Sequence, residues 1–346
     1  MSKPDPSALV RPGPGWRAIT LGIVVIVAAA MAALMIGPAG IDPAGAVLGL
    51  LDALPGLRLD HGLSEIEYRV LFEIRFPRVV LGGLVGASLA LAGGAYQGVF
   101  RNPLADPYLL GVAAGAGLGA TAAFVFFNGG VLVATAAFTG GLAAVVVTYV
   151  LGRSVGGRTA TSLILAGVAV AAFATAVQTY LLQRHVETLR EVYSWILGRL
   201  LTVGWGEVRS LLFYALPAAT ILLLSGRLLD VIGLGDEEAT GLGVEVRKVR
   251  WVVVAAATLA TAAAVSVSGL IGFVGIIVPH TVRIAFGWSN RVVLPLSALF
   301  GAAFLIAADL AARTVVAPAE LPIGVVTAFL GAPFFVLVLR SMGGRS

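Results

Sequence analysis

The sequence predicts an all-α membrane protein with ten transmembrane helices, on three observations. Of its 346 residues 59% are hydrophobic and 12% charged, about half the charge of a soluble domain, and the mean hydropathy is +0.99. The apolar residues fall into charge-free runs of roughly the 20 residues that cross a bilayer. Lysine and arginine gather in alternate connections, as the positive-inside rule requires. The 44 glycines and 16 prolines point to broken or closely packed helices, which a bilayer tolerates where neighbours satisfy the backbone.

Residues 1–17 are polar, contain four prolines, and read as a disordered cytoplasmic tail; residues 18–346 read as one membrane domain. The first run, 18–41, is longer than a signal-peptide core and is followed by a poor cleavage site, so it reads as an uncleaved span. The second, 79–100, has Pro77 placed for the first turn of a helix. The third, 107–152, holds two helices broken at Asn128, Gly129 and Gly130. Runs at 159–183 and 210–226 follow, separated by an outer segment whose residues 189–197 read as a short interfacial helix.

The run 251–279 and those at 292–308 and 321–339 would make nine spans. Between Gly269 and Arg291, however, the glycines and Pro279 mark a helix that ends and a shorter one that turns back. Counting it gives ten spans and two cytoplasmic termini. Fourteen of the 23 lysines and arginines then lie inside, among them Arg101, Arg153, Arg247, Lys248, Arg250 and Arg291.

Four polar clusters interrupt this pattern. Glu73, Arg75, Pro77 and Arg78 close the outer end of the second span, and Arg313 follows Asp309 by one turn at the outer end of the ninth. Two readings fit these arginines: snorkelling to the interface, or bidentate docking of a soluble partner's carboxylates. Gln97, one turn inside the membrane, either bonds a neighbouring helix or faces water. Beside it the turn containing Asn102, Leu104 and Asp106 is stiffened by Pro103 and Pro107.

The third cluster lies in the cytoplasmic stretch 229–248. Gly235, Asp236, Glu237, Ala239, Leu242 and Gly243 form an acidic start, a small middle and a glycine stop, a short helix with an apolar face that the chain itself leaves uncovered. A solvated loop is the alternative. The fourth contains His280 and Arg283; His61, His185 and His280 lie in separate segments, which favours a structural histidine over a metal ligand.

Absences narrow the function further. With no cysteine, disulfides and thiolate chemistry are excluded. Neither Lys3 nor Lys248 has the glycines of a phosphate-binding loop beside it, so the chain is expected not to hydrolyse ATP. The spans hold almost no carboxylate besides Asp309, which disfavours an ion-coupled carrier. A membrane enzyme lacks a catalytic constellation, and nucleic-acid binding is not expected.

Seven motifs in order resemble the FecCD-type permeases, the BtuC-like membrane subunits of type II ATP-binding-cassette importers for cobalamin, haem and ferric siderophores. They are Arg-Phe-Pro-Arg at 75–78, Gly-Gly-Ala-Tyr-Gln at 93–97, Arg-Asn-Pro-Leu-Ala-Asp-Pro at 101–107, Leu-Ala-Gly-Val-Ala at 165–169, Ser-Trp-Ile-Leu-Gly at 194–198, Gly-Phe-Val-Gly-Ile-Ile-Val-Pro-His at 272–280 and Glu-Leu-Pro-Ile-Gly-Val-Val-Thr-Ala at 320–328. The resemblance implies ten helices per subunit, a homodimer in the bacterial inner membrane, two ATPase subunits that bind ATP and Mg, and a periplasmic or lipid-anchored substrate-binding protein. This chain would bind no cofactor or metal itself.

By the same resemblance Arg75, Arg78 and Arg313 receive glutamates of the binding protein, and residues Gly235 to Gly243 are the coupling element toward the ATPase. Asn102, Leu104, Thr161 and Ser162 match the cytoplasmic gate, with Gln97 on the translocation path. The sequence departs from the family in Gly287-Trp288-Ser289-Asn290-Arg291, where relatives carry Asp-His-Arg, and in Arg199, a cation near the outer vestibule. The rival reading is an ATP-independent secondary transporter or channel, which would show inverted repeats and an intramembrane charge pair.

Overall fold

The computed structural model describes residues 14–37, 40–53, 56, 59–154, 160–200 and 204–343; most of the expected tail, 1–13, lies outside them. In chain order the helices are α1 (Trp16–Met35), α2 (Pro43–Asp52), α3 (Glu65–Arg69), α4 (Phe76–Phe100), α5 (Val112–Phe127), α6 (Leu132–Ser154), α7 (Ala160–Arg184), α8 (Leu189–Ile196), α9 (Gly206–Leu224), α10 (Gly226–Leu234), α11 (Asp236–Gly241), α12 (Val246–Ser268), α13 (Val274–Phe286), α14 (Asn290–Thr314) and α15 (Ile323–Gly343). Among the described residues there is no strand. Seven helical stretches among the described residues are long and apolar enough to cross a membrane, which makes this a multi-pass membrane protein. Shorter apolar stretches lie in α2, α5, α13 and, over Ile323–Val338, α15, so a count of ten needs the last three to cross as well.

The bundle is built around α4. Its long apolar face is buried against α12, α13 and α14, while α1 and α7 sit at the periphery with most of their surface exposed. Pairings along α4 and α14 run in opposite directions: Arg78 meets Asp309, Gly86 meets Gly301, and Gly98 meets Asn290. Gly86 and Gly301 are required there, because a Cβ on either would collide with the other's carbonyl, and backbone approach of this kind is how membrane helices gain contact without a hydrophobic drive.

Several elements differ from the sequence reading. Pro77 lies in the first turn of α4 as expected, but that turn is not a free helix start. Instead α3 runs through a π-helical turn (Val70–Arg75) straight into α4. Proline has no N–H to offer the carbonyl four residues back, and that carbonyl, on Glu73, accepts the Gly204 N–H at 2.8 Å instead. The α12 helix ends at Ser268, and Phe273, left-handed at φ 69°, starts α13, so Pro279 lies inside the returning helix rather than at its boundary. The segment between α1 and α4 also contains α2, capped by Asp42 on the Gly45 N–H at 2.8 Å, and α3, with a reciprocal Ser64/Glu67 capping box. The stretch 229–248 also takes in most of α10, in addition to the expected short helix.

Candidate functional site

The three arginines expected at the outer face come together, but facing inward. Arg75 Nη1 donates to the Leu34 carbonyl at 2.8 Å and Arg313 Nη2 to the Ala33 carbonyl at 3.0 Å, so both guanidinium groups sit on the last turn of α1, where the helix dipole favours a cation. Gly37 permits this, since a Cβ there would stand 2.9 Å from Arg75 Nη2. Arg313 Nε also binds Asp309 Oδ2 at 3.0 Å, one turn back on α14. Arg78 bridges two acids: Asp309 Oδ1 at 2.9 and 3.1 Å, and Glu320 at 2.8 and 3.2 Å. Arg75 and Arg313 are only 5% and 4% exposed, whereas Glu320 has a 42% exposed side chain. Arg78 is therefore the member of the trio whose partner reaches the surface, and the other two lock the end of α1 to α4 and α14.

At the opposite end of the bundle lies the acidic short helix. Gly235, at φ 145°, precedes α11 and Gly243, at φ 81°, follows it, conformations that a side chain would strain. Asp236, the first residue of α11, accepts from Arg101 at the end of α4 and bidentately from Arg250 on α12 at 2.7 and 2.8 Å. Asp230, on α10, accepts from Ser289 Oγ at 2.7 Å and from the Asn290 backbone, capping α14, and pairs with Arg291 at 3.3 Å. Glu237 is exposed, as is Leu242 at 62%. The expected uncovered apolar face is thus half corrected: Ala239 is fully buried against Ile232 and Val246 of the same chain, leaving Leu242 as its exposed part.

The residues expected at the gate divide in two. Asn102 is exposed, its Oδ1 accepting the Leu104 N–H at 3.0 Å in a tight turn, and Leu104 is half-buried. Thr161 is exposed and Ser162 half-buried on the first turns of α7, at the same end of the bundle. Asp106 Oδ1 accepts the Tyr108 N–H at 2.6 Å, and Tyr108 Oη donates to the Ile271 carbonyl at 2.9 Å, fastening the turn to the α12–α13 connection. Burial of the Asp106 carboxyl raises its pKa to about 6, against the pull of the Tyr108 N–H.

Gln97 is elsewhere. It is 3% exposed, donates to the Gly275 carbonyl and accepts from Arg283 Nε, both at 3.3 Å. Arg283 also donates to the carbonyls of Gly94 and Trp288 and to Asn290 Oδ1. Of the two readings of Gln97, bonding a neighbouring helix is the one seen. His280 is buried and edge-on to Phe334, its Nδ1 unbonded within the described residues. Arg199 is half-buried and bonds Ser194 Oγ at 3.2 Å; burial holds its guanidinium below the ordinary value. No group of three His, Cys, Asp or Glu able to hold a metal occurs among the described residues.

Sequence reasoning missed the roles of Glu320, Arg101, Arg250, Asp230 and Arg283. Each acts through a partner more than a dozen residues away, and no local spacing carries that information.

A cobalamin import system permease, BtuC, from Halobacterium salinarum is 42% identical over 289 residues, 83% of this chain and 78% of that protein. The hemin transport system permease HmuU from Yersinia pestis is 41% identical over 293 residues, 82% of this chain and 87% of the relative. A solved structure described as an inward-facing conformation of a metal-chelate type ABC transporter superposes with a TM-score of 0.81 at 29% identity, covering 94% of this chain and 99% of that one. The FecCD transport family matches residues 23–341, and the chain, nearly all of it spanned by that match, belongs to this family.

Proposed function

We propose that two copies of this chain form the translocation unit of an importer that carries a metal chelate or corrinoid (haem, a ferric siderophore or cobalamin) into the cytoplasm by alternating access. As a FecCD family member it is a translocation subunit, not an ATPase. The observation that carries the reading is the anchoring of α10 and α11. Their carboxylates are tied to three buried helices: Asp236 to α4 and α12, and Asp230 to α14. A push on the exposed Leu242 by an ATPase subunit reaches the turn at Asn102 and Leu104 through Arg101.

In this reading the α11 end is cytoplasmic, consistent with its concentration of arginine, and α5, α13 and α15 complete ten spans. Binding-protein docking falls to Arg78, whose surface-facing carboxylate, Glu320, gives way to a glutamate of the binding protein; Arg75 and Arg313 hold the site from below. The substrate class is drawn from the names of relatives, which span cobalamin, hemin and iron(3+)-hydroxamate.

The test is uptake by proteoliposomes holding this chain, its ATPase and its binding protein, offered haem, ferric siderophores and cobalamin with and without ATP. ATP-dependent uptake of one ligand, abolished by Arg78→Glu, is expected. Uptake without the ATPase would overturn the importer reading in favour of a secondary transporter or channel, and indifference to Arg78→Glu would remove the docking role.

A further inference from the structure

A cavity of about 350 Å³ opens at the α11 end, between the last turns of α4 and α6 and the first turns of α7 and α12. Four arginines and one carboxylate line it: Arg101, Arg153, Arg247 and Arg250 against Asp236. Asp236 is taken by Arg101 and Arg250. Arg153 and Arg247 are exposed and have no carboxylate partner among the described residues; Arg153 lies over the Tyr149 ring, 5.4 Å from its centroid, and Tyr149 in turn meets Trp251 edge to face. The wall thus has an excess of three positive charges and two guanidinium groups with open hydrogen-bonding forks.

The geometry points to a binding site for the headgroup phosphate of an anionic phospholipid. Guanidinium forks match phosphate oxygens in pairs, and basic pockets between membrane helices on the cytoplasmic side take such headgroups. Tyrosine and tryptophan mark the depth of the membrane interface. What selects a lipid over a free anion or a partner's carboxylates is the apolar remainder: Val99, Leu163 and Val254 also line the cavity. Val146 and Val150, on the same face of α6 as Arg153, continue outward with 61% and 59% exposure, a lane for an acyl chain. The occupant bridges α6 to α12 beside the carboxylate that holds α11. The choice of the cytoplasmic leaflet rests on the orientation proposed above; the binding itself does not require transport.

The full chain is reconstituted in nanodiscs of phosphatidylcholine alone or mixed with phosphatidylglycerol of the same acyl chains, and retained lipid is counted by native mass spectrometry. The wild type retains phosphatidylglycerol preferentially, and Arg153→Gln/Arg247→Gln lowers that retention about thirtyfold, as loss of two near-surface cations implies. The pair Arg69→Gln/Arg209→Gln, at exposed arginines of the opposite end, leaves it unchanged. A measurement on the wild type alone guards against misfolding of the variant: phenylglyoxal labelling of Arg153 and Arg247 is slowed by phosphatidylglycerol and not by inorganic phosphate. Equal retention by wild type and double variant overturns the site. Equal protection by inorganic phosphate makes it a free-anion site, and protection by the ATPase subunit alone makes it a protein contact; either result also overturns the lipid proposal.

Discussion

Asp309 is the residue on which the outer cluster turns, because it is the one carboxylate shared by Arg78 and Arg313 and is almost fully buried. Removing one member of a buried ion pair leaves the other charge uncompensated. Asp309→Asn is therefore expected to cost about 3–5 kcal/mol, read as a lowered thermal midpoint in detergent. Glu320→Gln, which breaks a pair with an exposed partner, costs under about 1 kcal/mol; equal losses would mean that Glu320 holds Arg78 as firmly as Asp309 does. Asp106 gives a pH signature of opposite sign to the usual paired carboxylate. Its folded pKa of about 6 lies above the ordinary value of about 3.9, so the folded state binds the proton more tightly. The contribution of this group to stability is present below about pH 4 and is lost as pH rises toward 6. Asp106→Asn keeps an acceptor for the Tyr108 N–H and removes that pH dependence. A pH series of unfolding midpoints that runs parallel for the two proteins would contradict the assignment.

Among the elements, α11 is too short to be stable alone, and its position comes from its ends: Asp236 held by two arginines, Ala239 buried, and glycines that let the chain turn on either side. Asp236→Asn is expected to leave a folded, monodisperse protein, because each pair is partly exposed and of modest worth, yet to lower ATP-driven uptake severalfold by freeing α11 from the turn after α4. Leu242→Asp lowers uptake through loss of ATPase binding instead, so co-purification of the ATPase separates the two effects. Much of this element was legible: acidic residues followed by glycine predict a short helix with a negative first turn. The burial of Ala239 was not, because its cover comes from α10 and α12, and α10 has no cap signal of its own, with Ser225 making no capping bond. Likewise Asn128-Gly129-Gly130 marked the α5–α6 turn correctly, while the Ser64/Glu67 capping box of α3 was a local signal passed over. The continuity of α3 with α4 was hidden by Pro77, whose helix-breaking effect is offset by a hydrogen bond to the Glu73 carbonyl from Gly204, 131 residues further along the chain than Glu73.

For the whole molecule, hydropathy and charge together recovered the order of the apolar helices, since both are properties of single segments that a bilayer reads locally. What they left open is which faces meet protein and which meet lipid, because apolar residues serve both. The proposed homodimer makes that distinction testable at α7, a peripheral helix with Thr161 exposed at its start. A two-fold interface is isologous, so a residue near the axis meets its own copy. The chain contains no cysteine, and a single introduced thiol reports without interference. If the gate lies where two copies of α7 meet, Thr161→Cys forms a covalent dimer under mild oxidation, and nucleotide that closes the ATPase pair changes its yield. Val146→Cys, on a face of α6 assigned to lipid, does not. Disulfide geometry demands Cα atoms within about 7 Å, so cross-linking at Val146 in place of Thr161 would move the dimer interface from α7 to α6. That result would also leave no room for a lipid chain beside Arg153.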